Sequence, residues 1–312
     1  GGPGSVGLFI FRKEIYSTSI SPSFGAGGTV DFVNFETQDY ADDIEEREKP
    51  GTPPILQTMR AALAVDLKGK FGEEAIAERE HSLLERVFAR LSEYPRIEVL
   101  GDRDPRNRIG ILSFNIRHEK GFLHPRFIVM LLNDLFGIQS RGGCSCAGPY
   151  GHRLLGIDER QTEKFRELIN SGKAGVKPGW ARVNLHYLLS DEEIDFITDA
   201  LIFIAEYGTY FLEDYSFDIN SGRWRVKGVE EPEVRFGIDE ALSFAEKSEL
   251  AGMQDSGENL LIEKPGVEEN LREEFDRYLE EARERAETLA ASYDESRVTT
   301  TDEELIPYVY IG

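Results

Sequence analysis

Hydrophobic positions along the chain recur at spacings that switch between the period of a strand and that of a helix. Leu8, Phe9, Ile10 and Phe11 form an apolar run closed by the polar Arg12-Lys13-Glu14, which predicts a buried strand over 7–11. The stretch Phe24-Gly25-Ala26-Gly27-Gly28-Thr29 reads as a glycine-rich loop, and an acidic, turn-prone segment follows it to Pro50. Pro53 and Pro54 suit the first turn of a helix, and helical spacing runs from Ile55 to Leu67. It resumes from Glu73 to Leu91, with Ala75, Ile76, Leu83, Leu84, Val87 and Leu91 on the inner face.

Short strands are predicted at 97–100 and 108–116, a helix at 125–136 and a strand at 138–139. Helical patterns return at 160–170 and 191–206, with a strand over 181–189 between them. Strands alternating with helices indicate an α/β or α+β domain, and α/β is the fold class expected. Beyond Glu213 the pattern loosens: a hairpin over 215–226 turns at Asn220-Ser221-Gly222, and 267–292 reads as a charged helix with a solvated Glu/Arg face. The expected organisation is three segments: 1–60, 61–212 and 213–312.

Composition sharpens this picture. The 312 residues carry a formal charge of −22, and residues 213–312 hold 27 acidic against 11 basic side chains. Such a balance argues against a nucleic-acid backbone or an anionic membrane as partner. The two cysteines, Cys144 and Cys146, stand one residue apart, which excludes a secreted disulfide framework. No apolar run reaches membrane-spanning length and no signal peptide opens the chain, so the expected location is cytoplasmic. The chain begins Gly1-Gly2-Pro3-Gly4 and runs at once into a strand that needs neighbours. The expectation is a piece of a longer protein.

Gly2-x-Gly4-x-x-Gly7 has dinucleotide-binding spacing, but that motif needs a strand before it and a helix after it, and here a strand follows. The informative stretch is Arg141-Gly142-Gly143-Cys144-Ser145-Cys146-Ala147-Gly148-Pro149. An arginine five residues before a cysteine, with glycines between, offers a planar carboxylate clamp beside a nucleophile. The same residues also fit a plain glycine turn with a small buried cysteine. Cys144-x-Cys146-x5-His152 departs from zinc-ligand spacing and has no second pair, so no metal is expected. His124, His152 and His186 read as structural or surface residues, Trp180 as packing, and Arg182 as the partner of a carboxylate at a domain boundary.

Four motifs in order, Gly1-Gly2-Pro3-Gly4-Ser5-Val6-Gly7, Gly27-Gly28-Thr29, Gly51-Thr52-Pro53 and Arg141-x-Gly143-x-x-Cys146-Ala147, resemble the class V aminotransferase family of pyridoxal-phosphate (PLP) enzymes, in its cysteine desulfurase and selenocysteine lyase branch. The resemblance spans about residues 1–207. It implies PLP-dependent transferase fold type I, with a truncated large domain followed by a small C-terminal α/β domain. By the same resemblance Arg141 grips the substrate carboxylate. Cys146 attacks the substrate's sulfur or selenium, Thr52 reaches the phosphate of the neighbouring subunit's PLP, and Gly27, Gly28 and Thr29 line that site. It further implies a homodimer, a small amino-acid substrate and a sulfur-acceptor protein. The family's Schiff-base lysine precedes the opening glycines, so the chain alone is expected to be inactive. Desulfurases with this spacing often carry histidines before the cysteine, where Cys144-Ser145 stands here. Competing readings are an aminotransferase or other lyase without a catalytic cysteine, and a non-catalytic dimerising half.

Overall fold

Strand pairing and helix burial organise the chain as two units, Gly1–Ile76 and Ala77–Gly312, in a computed structural model that describes residues 4–144, 148–229, 237 and 267–312. The division falls after the long helix that follows Pro54.

In the first unit β1 (Val30–Val33) pairs antiparallel with β2 (Gln38–Tyr40), with an irregularity between Val30 and Phe32. Asp43 caps α1 (Ile44–Arg47) by accepting from the N–H groups of Glu45 and Glu46. Those two donors hold its carboxyl below the usual carboxylate range. A 17-residue helix, α2 (Ile55–Phe71), follows and buries none of its residues. The interior of this unit is small, and Thr29, Ala41 and Arg47 are its fully enclosed residues beside Pro22. The strand expected at 7–11 is corrected here: the segment has no ladder, and Leu8, Phe9 and Ile10 are 63%, 81% and 88% exposed. A strand exists only through hydrogen bonds to a neighbour, and no described strand lies beside this one. β1 and β2, by contrast, went unpredicted because strands of four and three residues are too short to show a period.

α3 (Glu73–Leu91) leads into the second unit and buries Leu83, Leu84, Val87 and Leu91. Then come β3 (Ile97–Val99), β4 (Ile111–His118), β5 (Gly121–Leu123), α4 (Pro125–Phe136), β6 (Arg141–Gly143), α5 (Gly148–Leu155) and α6 (Glu159–Asn170). β7 (Trp180–Asn184), α7 (Asp191–Tyr207), β8 (Tyr215–Asp218), β9 (Arg223–Val226), α8 (Val267–Ala290), β10 (Val298–Thr300) and β11 (Tyr308–Ile311) complete it. The main sheet has the order β10-β11-β5-β4-β7-β6, and β3 also pairs with β4. Its pairings are antiparallel except β11 with β5, so the α/β class holds with a mixed sheet.

Phe127, Ile128, Leu131, Leu132 and Phe136 of α4 are buried with Leu112, Phe114 and Ile116 of β4 in the central core. At roughly 1.5–3 kcal/mol for each such side chain, this helix is a major source of the unit's stability. The predicted helices appear close to their expected limits. The strand placed at 138–139 lies instead at 141–143, and that of 181–189 stops at Asn184, where pairing with Ile111 ends.

The hairpin expected at 215–226 is β8–β9. The charged helix has its exposed Glu/Arg face and, opposite it, a buried one: Leu279, Ala282, Ala286 and Leu289 of α8 lie in the core, so the helix is amphipathic. Among the described residues no helix is long and apolar enough to cross a membrane.

Candidate active site

The expected site residues fall in both units, and each group has its own construction.

In the first unit the glycine loop is closed by Thr29. Its hydroxyl donates to the Ala26 carbonyl at 2.7 Å and accepts from the Ala26 N–H at 3.1 Å. Thr29 is fully buried, so its single hydroxyl proton serves the turn. The Gly51 N–H donates to the Gly27 carbonyl at 2.8 Å, which brings Gly27, Gly28 and Thr29 beside the exposed Thr52. Gly28 has φ +90°, a conformation that favours glycine. Among the described residues the N–H groups of Gly27, Gly28 and Thr52 have no acceptor.

Arg47 organises the frame around this loop. Its buried guanidinium donates to the carbonyls of Thr18 and Ile20, each at 2.9 Å, and to that of Ala41 at 3.4 Å. It also lies over the Tyr40 ring, 4.9 Å from the centroid. Next to it, Tyr16 donates to Glu48 at 2.6 Å; this hydrogen bond raises the phenol's pKa and lowers that of the carboxyl.

In the second unit strand register builds the site. Arg141 of β6 lies directly opposite Arg182 of β7, and Arg182 directly opposite Ser113 of β4. Directly opposed residues share a face of the sheet, so the two arginines and the serine stand in one row. Like charges opposite one another destabilise a sheet. Among the described residues neither guanidinium has an ion-pair or hydrogen-bond partner. The row is therefore a place where a carboxylate or another anion would relieve repulsion.

Cys144 follows β6 and is a free, exposed thiol. Cys146 lies outside the described residues, with Ser145 and Ala147. α5 starts directly after them, and its Gly151 rests against the Trp180 ring; a Cβ there would sit 3.3 Å from it. A cavity of about 640 Å³ opens beside this region, lined by Arg108, Ser113, Tyr150, Leu154 and Trp180 among others.

The histidines have structural partners. His124 caps α4, accepting from the Arg126 N–H at Nδ1, and its Nε2 faces the Gly175 carbonyl at 3.2 Å. Burial pushes its pKa down to about 3, so it is neutral in the folded protein. His152 meets the Thr162 hydroxyl, and His186 accepts from the Leu188 N–H. Arg182, expected from the sequence to pair with a carboxylate at a domain boundary, is placed by the structure beside Arg141. Its only signal was an arginine on an alternating strand, and its place beside Arg141 depends on a register that no local pattern encodes.

The family model for class-V aminotransferases matches residues 1–195. The chain belongs to the class-V aminotransferase family. This family has the fold type I architecture, of which the chain contains a part. It is similar to a probable cysteine desulfurase of Streptomyces coelicolor, 30% identical over 148 residues, covering 47% of this chain and 34% of that protein. It is likewise similar to a cysteine desulfurase of Haloferax volcanii, 30% identical over 156 residues, covering 50% of this chain and 34% of that one. Among solved structures, the apo cysteine desulfurase of Thermococcus onnurineus is similar at 25% identity and a TM-score of 0.48, over 59% of this chain and 39% of that one. The class-V chain thus spans about a third of the length of these curated relatives.

Proposed function

We propose that this class-V chain forms part of a PLP-dependent cysteine desulfurase, with Arg141 and Arg182 holding the carboxylate of a small amino acid and Cys146 receiving its sulfur. The observation that carries the reading is the in-register pair Arg141 and Arg182, whose guanidiniums have no partner among the described residues, on β7 and on β6, the strand that directly precedes Cys144. Two guanidiniums side by side can grip one carboxylate and fix the orientation of the carbon next to it.

The residues of the first unit fit a phosphate. Gly27, Gly28 and Thr52 offer N–H groups without acceptors, and Thr52 adds an exposed hydroxyl. Thr29 shapes this edge instead of contacting a ligand, since its hydroxyl is spent on Ala26. When bound, PLP supplies an electron sink that weakens bonds at the substrate's α-carbon. The Cys146 thiolate would attack the substrate's sulfur, forming an S–S bond as the C–S bond breaks. The C–S electron pair stays with the carbon, which takes up a proton, and the persulfide remains on Cys146.

The same reading gives the protein a sulfur-acceptor partner, a cytoplasmic location and a homodimeric state. Support for the last is the apolar surface of α2, where Ile55, Leu56, Met59 and Leu63 are all more than half exposed.

The test is sulfide and alanine formation from L-cysteine, with PLP and a thiol reductant, by the protein that contains this chain. The reading expects turnover that Cys146→Ser abolishes. Transamination that survives Cys146→Ser would replace it with the aminotransferase reading.

A further inference from the structure

The family match ends at residue 195, yet β11, at the far end of the chain, reaches the strands that carry the candidate site. β11 enters the sheet parallel to β5, with Tyr308 opposite Phe122 and the Phe122 N–H bonded to the Pro307 carbonyl. From there the fully buried Tyr308 side chain runs to Gly179. Its hydroxyl accepts from the Gly179 N–H at 3.0 Å and faces the Gly179 carbonyl at 3.3 Å. Asn115 provides a second donor to that carbonyl once its amide is oriented by its hydrogen bonds. The Gly179 N–H has no other acceptor among the described residues.

Gly179 is a close-approach point. A Cβ on it would lie 2.6 Å from the Gly143 backbone, nearer than real contacts allow. Gly143 is the last residue of β6, paired with Trp180 and held at φ +126°. Arg141 starts that same three-residue strand, and Cys144 follows it. β6 is a sheet edge with β7 as its only strand neighbour among the described residues; on its other side Gly142 rests on the start of α4, where a Cβ would lie 2.8 Å from the Pro125 carbonyl, so the Gly179 contact is what fixes its far end at Gly143.

We propose that Tyr308 is a positioning residue of the active site: by holding Gly179 against Gly143 it sets β6, and with it the place of Arg141 and the start of the cysteine segment. The C-terminal segment is then a brace that this protein adds to the class-V framework. Burial raises the phenol's pKa, which keeps the hydroxyl protonated and able to serve Gly179 in both directions. The functional half of this inference rests on the proposed role of Arg141; the mechanical half does not.

Tyr308→Phe keeps the ring and leaves a buried N–H without its acceptor. Hydrogen exchange in the full chain, read by mass spectrometry, should rise by about tenfold at Gly142, Gly143 and Gly179 and far less at the α4 amides, beyond whatever general loosening the unsatisfied N–H brings with a lower melting temperature. Alkylation of Cys144 by iodoacetamide should change by roughly threefold or more, since its strand is released. Leu305→Ala serves as the control: this core residue of the same segment should lower the melting temperature and leave exchange in β6 in proportion to the rest of the unit. With L-cysteine as substrate, Tyr308→Phe should raise KM more than it lowers kcat. Exchange that rises uniformly, as for Leu305→Ala, or that does not rise in β6 would overturn the proposal. The exchange and alkylation results need no desulfurase turnover, so an inactive wild-type protein would count against the proposed function alone.

Discussion

The glycine loop of the first unit and the arginine row of the second reach their arrangements by different means. Around Gly27 and Thr52 the chain folds on itself through turn hydrogen bonds and one buried arginine, over a very small interior. Arg141 and Arg182 meet because β6 and β7 pair within a sheet whose strand order is set by a large core. The first arrangement is local, so a motif can announce it. The second is a product of register, and register belongs to the whole sheet.

The largest effect is expected at Cys146, the proposed nucleophile. Cys146→Ser should lower sulfur transfer by on the order of a thousandfold or more, because a serine hydroxyl cannot carry the persulfide. Cys144→Ser should retain most activity. A dead Cys144→Ser beside an active Cys146→Ser would move the nucleophile by two positions.

Next come the arginines. Arg141→Ala and Arg182→Ala should each cost on the order of 2–4 kcal/mol in kcat/KM, raising KM and lowering kcat together, since the pair both binds and orients. Steady-state kinetics that change for one arginine only would dissolve the row into a single ligand and a bystander.

A third effect is expected in the loop. Arg47→Met keeps the stem but strips three carbonyls of a donor, so the first unit should lose about 1–3 kcal/mol of stability along with its affinity for inorganic phosphate. The second unit's unfolding transition should be unmoved. Phosphate titration followed by calorimetry checks this, and an Arg47→Met chain that binds phosphate normally would detach Arg47 from the loop.

Acid distinguishes the regions gradually, over several pH units. His124 is neutral when folded, with a pKa near 3 against 6.5 in an unfolded chain, so the unfolded state binds the extra proton as pH falls. Stability of the second unit should therefore drop below about pH 6.5, by up to about 1.4 kcal/mol per pH unit, and level off near pH 3. Urea unfolding at several pH values reads the slope, which His124→Gln should flatten.

Much of the fold could be read from the chain. α2, α3, α4 and α7 follow helical spacing closely, because each repeats its apolar positions over several turns. The run at 7–11 misled, since an apolar sequence becomes a strand only beside a partner. β10 and β11 were overlooked within an acidic stretch whose composition suggests a solvated tail, although Val298, Tyr308, Val309 and Ile311 are buried. In the candidate site, Arg141 and the glycine loop were singled out from motifs. Arg182 was not legible as its neighbour, because only the pairing of β6 with β7 makes it one.

The central claim is that Arg141 and Arg182 act as one carboxylate-binding unit. A double-mutant cycle tests it directly: Arg141→Met, Arg182→Met and the double variant, each scored by calorimetric affinity for L-cysteine in the protein that contains this chain. If the arginines share one carboxylate, the second substitution should cost much less than the first, with a coupling of at least about 1 kcal/mol. Strictly additive losses, or no loss from Arg182→Met, would contradict the account.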